Sequence, residues 1–413
     1  MLARLLLFLI SFSAIAGVRL SALASPTRPS PRAVSRPASN ARLTTTAADL
    51  ADAYRSGQRV PPGVNARCCR LERRLFDDAR DGRLDQHRLL TAGLIASGVT
   101  DLAMLEQYQN RYDRMAALLK QTLPADAGVR EKASHTLRFL HAEVLRGGYH
   151  REISTLSAAF DGDGYNCVSS AVLFNCLARS LGLEVCGVQV PGHAFSLVLS
   201  PAGEIEVQTT CASWFELPKE SPGAGSRRTA GADAAERGSS EPRRRVSDAE
   251  LVAMIYFNRG VTAIRTQRFR EALADNFKAL WLDPRFDKAA HNLLATIDQW
   301  ETDLNEQSQY ADALVVLSYG LFISPGHETF RSKYREVCRR CVDELVQSHR
   351  YEQALVTLDQ ARRLRVEDPW ILSSRRELLR HHYEALQGPS GPTASATSTV
   401  RPWLLSQPAI QGT

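Results

Sequence analysis

Gly164-Tyr-Asn-Cys167-Val-Ser-Ser170, followed by Pro191-Gly-His193-Ala-Phe195, is the pair of segments whose reading decides the fold. The first places a cysteine at the mouth of a helix. Asp161-Gly-Asp-Gly164 is rich in turn formers, and Val168 to Leu181 is an apolar, helix-length run closed by Gly182. Cys167 then falls in the first turn, among unpaired backbone N–H groups and at the positive end of the helix dipole. The second segment places a histidine at the start of a strand. Glu184 to Val190 is β-branched and apolar, Pro191-Gly192 interrupts it, and Ala194 to Leu199 resumes it. After the turn Pro201-Ala-Gly203, a third strand runs from Glu204 to Thr210. The thiolate, not the thiol, is the nucleophile, so a reactive cysteine needs a nearby base and a helix N-terminus. Cys167 and His193 are the expected pair.

A cysteine on a helix, a histidine opening the next strand but one, and an acid or amide on the strand after it follow the order of the transglutaminase-like branch of the papain fold. Tyr165-Asn-Cys167, Leu181-Gly182-Leu183, His193-Ala-Phe195 and Gln208-Thr-Thr210 resemble that superfamily over about residues 160–215. The resemblance implies a third catalytic member at Gln208, where the family carries an acid. An amide oxygen accepts the imidazole N–H and fixes its tautomer but does not stabilise the imidazolium by charge. Glu206, two residues earlier on the same strand face, is the alternative third member. The oxyanion would be met by the Cys167 backbone N–H with Asn166 or Tyr165. Phe195 stands where the family has tryptophan. The implied chemistry is hydrolysis of an amide or peptide bond, with no cofactor.

Five of the seven further cysteines read as packing residues, and an oxidising compartment could link some of the eight in pairs that the sequence does not give. Cys176 lies on the opposite side of the helix from Cys167, Cys186 is inside a strand, and Cys211 has no histidine at useful spacing. Cys338-x-x-Cys341 has ligand spacing, but no second pair follows it, so two cysteines on one helix face are expected and no metal site. Cys68-Cys69 are adjacent in a helical stretch. His141 is expected on a helix as a satisfied histidine, and His381-His382 in a solvated basic one.

The chain has 413 residues, 44% hydrophobic and 23% charged, with a net charge of +6, which fits two or three folded regions. The basic residues are arginines dispersed over helices and linkers without interleaved aromatics, so no nucleic-acid partner is expected. Met1-Leu-Ala-Arg4, an apolar run from Leu5 to Ile15, and Ala22-Leu-Ala24 before Ser25 have the layout of a secretory signal over residues 1–24. Export to a periplasm or the outside is the expectation, with an uncleaved membrane anchor as the alternative. Residues 25–46 read as a Pro/Ser/Arg/Thr linker.

Residues 47–217 read as one α+β unit. A helix beginning at Thr100-Asp101 carries Leu105, Tyr108, Tyr112, Met115 and Leu119 as an apolar stripe, and a second spans about Gly128 to Arg146. Residues 218–246 read as a flexible linker of low hydrophobicity. Beyond it, Arg268-Phe-Arg-Glu-Ala-Leu273, Gln309-Tyr-Ala-Asp-Ala-Leu314 and Arg350-Tyr-Glu-Gln-Ala-Leu355 recur every 41 residues, with Ala279, Gly320 and Ala361 in step. This pattern over residues 247–386 resembles tetratricopeptide repeats, closed by a polar capping helix, and implies an all-α surface for a protein or peptide. The later two units carry about seven extra residues in their first helices. Residues 387–413 read as a disordered tail in which Trp403-Leu404-Leu405 stands out. Two functions stay open: an exported thiol enzyme with partner-binding repeats, or a catalytically inactive protein of the same fold acting as a scaffold.

Overall fold

Thirteen helices and one four-stranded antiparallel sheet form the described part of the chain, residues 68–217, 243–366 and 368–387 of a computed structural model. This is an α+β architecture, mostly helical. The expected export segment, the linker that follows it and the C-terminal tail lie outside the described residues, as do 218–242. Among the described residues no helix is long and apolar enough to cross a membrane.

Six helices precede the sheet: α1 (Arg70–Asp78), α2 (Leu89–Ala96), α3 (Leu102–Gln121), α4 (Val129–Glu143), α5 (Leu156–Asp161) and α6 (Cys167–Ser180). Asp101 caps α3 by accepting the Met104 N–H at 3.0 Å. The α3 stripe buries Leu105 and Leu119, and its two tyrosines hydrogen-bond inward, Tyr108 to the Asp161 carboxylate and Tyr112 to the Cys176 carbonyl. Every residue of α6 from Val168 to Ala178 is buried. A helix buried on all sides belongs at the centre of a structure, and α6 takes that place against helices on one side and the sheet on the other.

The sheet has the order β3-β2-β1-β4, with β1 (Glu184–Val190), β2 (His193–Ser200), β3 (Gly203–Val207) and β4 (Arg244–Val246). Register pairs Val190 with His193 and Ser200 with Gly203, so each hairpin closes on its Pro-containing turn. Side chains alternate across it. Ala194, Val198 and Val207 join the main core with α6, whereas Val188, Phe195 and Leu197 form a small cluster on the outer face.

Strand β4 corrects the expectation of a linker extending to residue 246. Arg244-Arg-Val246 has too little apolar character to announce a strand, but its main chain pairs with Gly187 to Gln189 on β1. Seven helices follow: α7 (Asp248–Arg265), α8 (Phe269–Leu282), α9 (Asp287–Glu306), α10 (Tyr310–Ile323), α11 (Glu328–Gln347), α12 (Tyr351–Arg363) and α13 (Pro369–Gln387). Each packs on the next. The 41-residue step is a backbone feature too. Gln267, Ser308 and His349, 41 apart, have φ of 56°, 59° and 56°. At each, the following N–H closes back on the preceding helix: Arg268 on Ala263, Gln309 on Leu304 and Arg350 on Leu345, at 2.8, 2.8 and 2.7 Å. This is a Schellman stop with a side chain where glycine is usual. A Cβ on Gly320 would stand 2.8 Å from the Phe330 ring, so the helix pair needs glycine there.

The two halves share one core, which runs without interruption from Leu71 to Leu378. Helix α7 packs on α2, α6 and the sheet, with Leu251 to Tyr256 buried. Behind it, Glu72 of α1 accepts from Lys278 at 2.7 Å and from the Tyr256 hydroxyl at 3.1 Å, and Arg259 donates to the Ala96 carbonyl at 2.5 Å.

Candidate active site at the start of helix α6

The loop that delivers Cys167 is held by backbone contacts that only glycine permits. A Cβ on Gly147 would lie 2.3 Å from the Gly162 carbonyl oxygen and 2.3 Å from the Gly164 nitrogen. Gly164 itself has φ of 137°. Across this close approach Tyr149 and Tyr165 form a parallel bridge: the Tyr165 N–H donates to Gly148 at 3.1 Å, and the His150 N–H donates to Tyr165 at 2.8 Å.

Asn166 is the N-cap. Its Oδ1 accepts from the Val168 and Ser169 N–H groups at 2.9 and 3.2 Å, while Ser169 Oγ accepts the Asn166 N–H at 3.0 Å, a reciprocal capping box. Its Nδ2 donates to the Arg151 carbonyl at 3.1 Å. Both the Tyr165 and the Asn166 backbone N–H groups are thereby spent within the protein. The Tyr165 and Asn166 N–H groups expected to meet the oxyanion are occupied in bridging and capping, which leaves the Cys167 N–H, at the first helical position beside its own sulfur, as the remaining candidate.

Cys167 is partly buried. Burial pushes its thiol up, and it outweighs the opposing pull of the Ala194, Cys167 and Val168 backbone N–H groups and the nearby Arg151 charge. The Ala194 N–H is the peptide immediately after His193, so the sulfur lies where α6 meets the start of β2. Tyr149, which the sequence did not single out, belongs to this corner. Burial first, and then the nearby Cys167, raise its hydroxyl to about 12.

The imidazole side of the site is fully connected. His193 Nε2 meets Gln208 Oε1 at 2.8 Å, and Gln208 Nε2 donates to Glu206 Oε1 at 2.7 Å. The order of these bonds fixes the proton. A carboxylate only accepts, so the Gln208 NH2 must face Glu206 and its carbonyl must face His193. His193 Nε2 then donates, and in the neutral ring Nδ1 carries the lone pair. Gln208 and Glu206, weighed as rivals for one place, both take part: the amide holds the ring and the acid holds the amide. Glu206 is anchored in turn by Arg243 at 2.9 Å, and its backbone oxygen accepts the Trp214 indole N–H at 2.6 Å.

Three other groups lock the end of β3 to the helices. Ser170 Oγ lies 2.8 Å from Thr209 Oγ1 and donates to the Cys167 carbonyl at 3.2 Å, and the His141 Nε2–H donates to the Thr209 carbonyl at 3.0 Å. His141 is thus a satisfied histidine whose work is to place residue 209 beside Gln208. Of the remaining cysteines, Cys176, Cys338 and Cys341 are buried, with Cys338 and Cys341 on one face of α11. Among the described residues no group of three His, Cys, Asp or Glu side chains is placed to hold a metal ion.

Compared with known proteins, the chain matches no family model, no curated protein and no solved structure.

Proposed function

We propose that Cys167, His193 and Gln208 form a thiol site of transglutaminase-like type that hydrolyses an amide or peptide bond, within a papain-type α+β region followed by tetratricopeptide-like helix pairs. The observation that carries the reading is the directed bond from His193 through Gln208 to Glu206, which leaves the Nδ1 lone pair as the accepting side of the ring, while the Ala194 N–H beside the Cys167 sulfur brings the start of β2 to the thiol.

The starting state follows from the charges. Gln208 carries no charge and burial favours the protonated Cys167 thiol, so the site starts from a thiol rather than a preformed thiolate. His193 Nδ1 takes the thiol proton as Cys167 Sγ bonds to the carbonyl carbon, and the Cys167 N–H steadies the oxyanion. The imidazolium returns its proton to the leaving nitrogen as the C–N bond breaks, giving a thioester and a free amine. Water, activated by the same nitrogen, then releases the acid and restores the thiol. The helix pairs supply a surface for a protein or peptide, and exposed Val356, Leu372 and Leu379 on α12 and α13 give it apolar positions.

Acylation by an activated ester, p-nitrophenyl acetate, with the adduct located by peptide mass, tests this reading. The expected result is a single acyl adduct on Cys167, slowed in His193→Ala and absent in Cys167→Ala. Adducts spread evenly over Cys167, Cys186 and Cys211 would instead favour the inactive scaffold.

A further inference from the structure

We infer that Glu206 and Arg243 are positioning residues that fix the tautomer of His193, and that the chain segment entering the helix pairs thereby completes the site. Four side chains form a hydrogen-bonded chain on the outer face of the sheet, braced by the Phe195 ring. His193 bonds Gln208, Gln208 bonds Glu206, and Glu206 pairs with Arg243 at 2.9 Å. The Arg243 guanidinium lies 5.0 Å over the Phe195 ring, and Phe195 stacks on His193 with centroids 6.2 Å apart. Arg243 immediately precedes β4, which pairs with β1 at the opposite edge of the sheet from β3. It therefore reaches across the sheet to Glu206, with Phe195 of β2 beneath it.

The chemistry of each link explains its place. An amide is nearly symmetric and turns over unless its two ends meet different partners. Glu206 removes that freedom, because a carboxylate accepts only from the NH2 end. Arg243 aims Glu206 by donating to its second oxygen. Without Glu206 the Gln208 amide is free to present its NH2 to His193, which then accepts at Nε2 and carries its proton on Nδ1. That tautomer cannot take a proton from a thiol at Nδ1. Arg245 offers a built-in comparison: it pairs with Glu204, two residues along the same strand, and touches neither Gln208 nor His193.

The kinetic part of this inference rests on the thiol reading above, whereas the tautomer does not, so the test reads both in the full-length chain. Two-bond nitrogen–proton NMR reports the His193 tautomer, and p-nitrophenyl acetate reports Cys167 acylation across pH. In the wild type His193 is expected wholly as the Nε2–H form. Glu206→Ala should give mixed tautomers and cut acylation by about fivefold to tenfold, the worth of one ordinary hydrogen bond. Arg243→Met should shift both in the same direction by about twofold to threefold, as a partly exposed ion pair does, with Arg243→Lys recovering part of the loss. Arg245→Met should leave both unchanged. Arg243 and Glu206 side chains are 46% and 34% exposed, so these changes do not threaten the fold. A single Nε2–H tautomer in both Glu206→Ala and Arg243→Met would overturn the inference whatever the kinetics. Mixed tautomers with unchanged acylation would uphold the positioning and overturn the thiol reading instead.

Discussion

Two polar networks in this molecule are built from similar side chains and end differently. Behind α7, Glu72, Lys278, Tyr256, Arg259 and Asp275 close on one another inside the core that joins the two halves, and Glu72, Asp275 and Tyr256 are buried. Along the outer face of the sheet, Arg243, Glu206, Gln208 and His193 form a chain that runs to an imidazole nitrogen with a lone pair still available. A closed network holds elements in place. A chain with a defined direction and an open end also selects a protonation state, and that is what a thiol site requires. The contrast separates a cluster that binds helices together from one proposed to prepare a base, although both are built from charged residues.

Lys278→Met breaks this comparison most severely if it is wrong. It leaves the Glu72 carboxylate buried without its cation and should cost about 3–5 kcal/mol in chemical denaturation. Adding Glu72→Gln should recover much of that loss. At a temperature where the variant is folded its His193 tautomer should match the wild type, and a shifted tautomer would mean that the two networks are one.

Alkaline stability sharpens the same distinction for the thiols. Burial raises Cys176 and Cys338 to about 12 and Cys341 to about 11 from an ordinary value near 9. A raised folded value stabilises the protein fully below pH 9. That contribution is lost as pH climbs towards 11–12, because only the unfolded chain releases its protons. Unfolding free energy should therefore fall above pH 9, by up to about 1.4 kcal/mol per pH unit for each such thiol. A flat profile between pH 8.5 and 10.5 would contradict this.

Asn166→Ala removes the cap of α6 and should cost about 1 kcal/mol, read by thermal unfolding. The same change frees the loop from Arg151 and should lower Cys167 reactivity, unlike an equal destabilisation placed in the helix pairs. Smallest of all, Gln267→Gly, Ser308→Gly and His349→Gly should each stabilise by about 0.5–1 kcal/mol, since glycine adopts positive φ without a Cβ clash. A loss of stability in all three would mean that those side chains make contacts outweighing the strain.

How far the sequence foretold this structure depends on whether a feature is local. The bounds of β1 followed from its β-branched residues and Pro191-Gly192, and β2, expected over Ala194 to Leu199, extends one residue further at each end; the recurring motifs at 41-residue spacing turn out to open α8, α10 and α12. Gln208 stood out because it fills the slot where the resembled family carries its acid. Strand β4 and Arg243 did not, since a two-arginine edge strand pairs through its backbone and the partner Glu206 lies 37 residues earlier. Tyr149 reaches the cysteine corner through a parallel bridge that leaves no periodic trace. The Schellman stops were equally hidden, because their usual signal, a glycine, is absent. The run from Leu251 to Tyr256 did carry a readable sign of the shared core, for a helix that apolar is covered on more than one side.

Iodoacetamide labelling of each cysteine against pH, in the wild type, His193→Ala and Gln208→Glu, is the most direct test of the central claim. A thiol held protonated by burial predicts that Cys167 labels slowly at neutral pH and accelerates as pH approaches and passes 9. It also predicts slower labelling in His193→Ala, and a rise displaced to lower pH in Gln208→Glu, where a new charge favours the imidazolium. One and the same Cys167 profile in all three proteins would contradict the account.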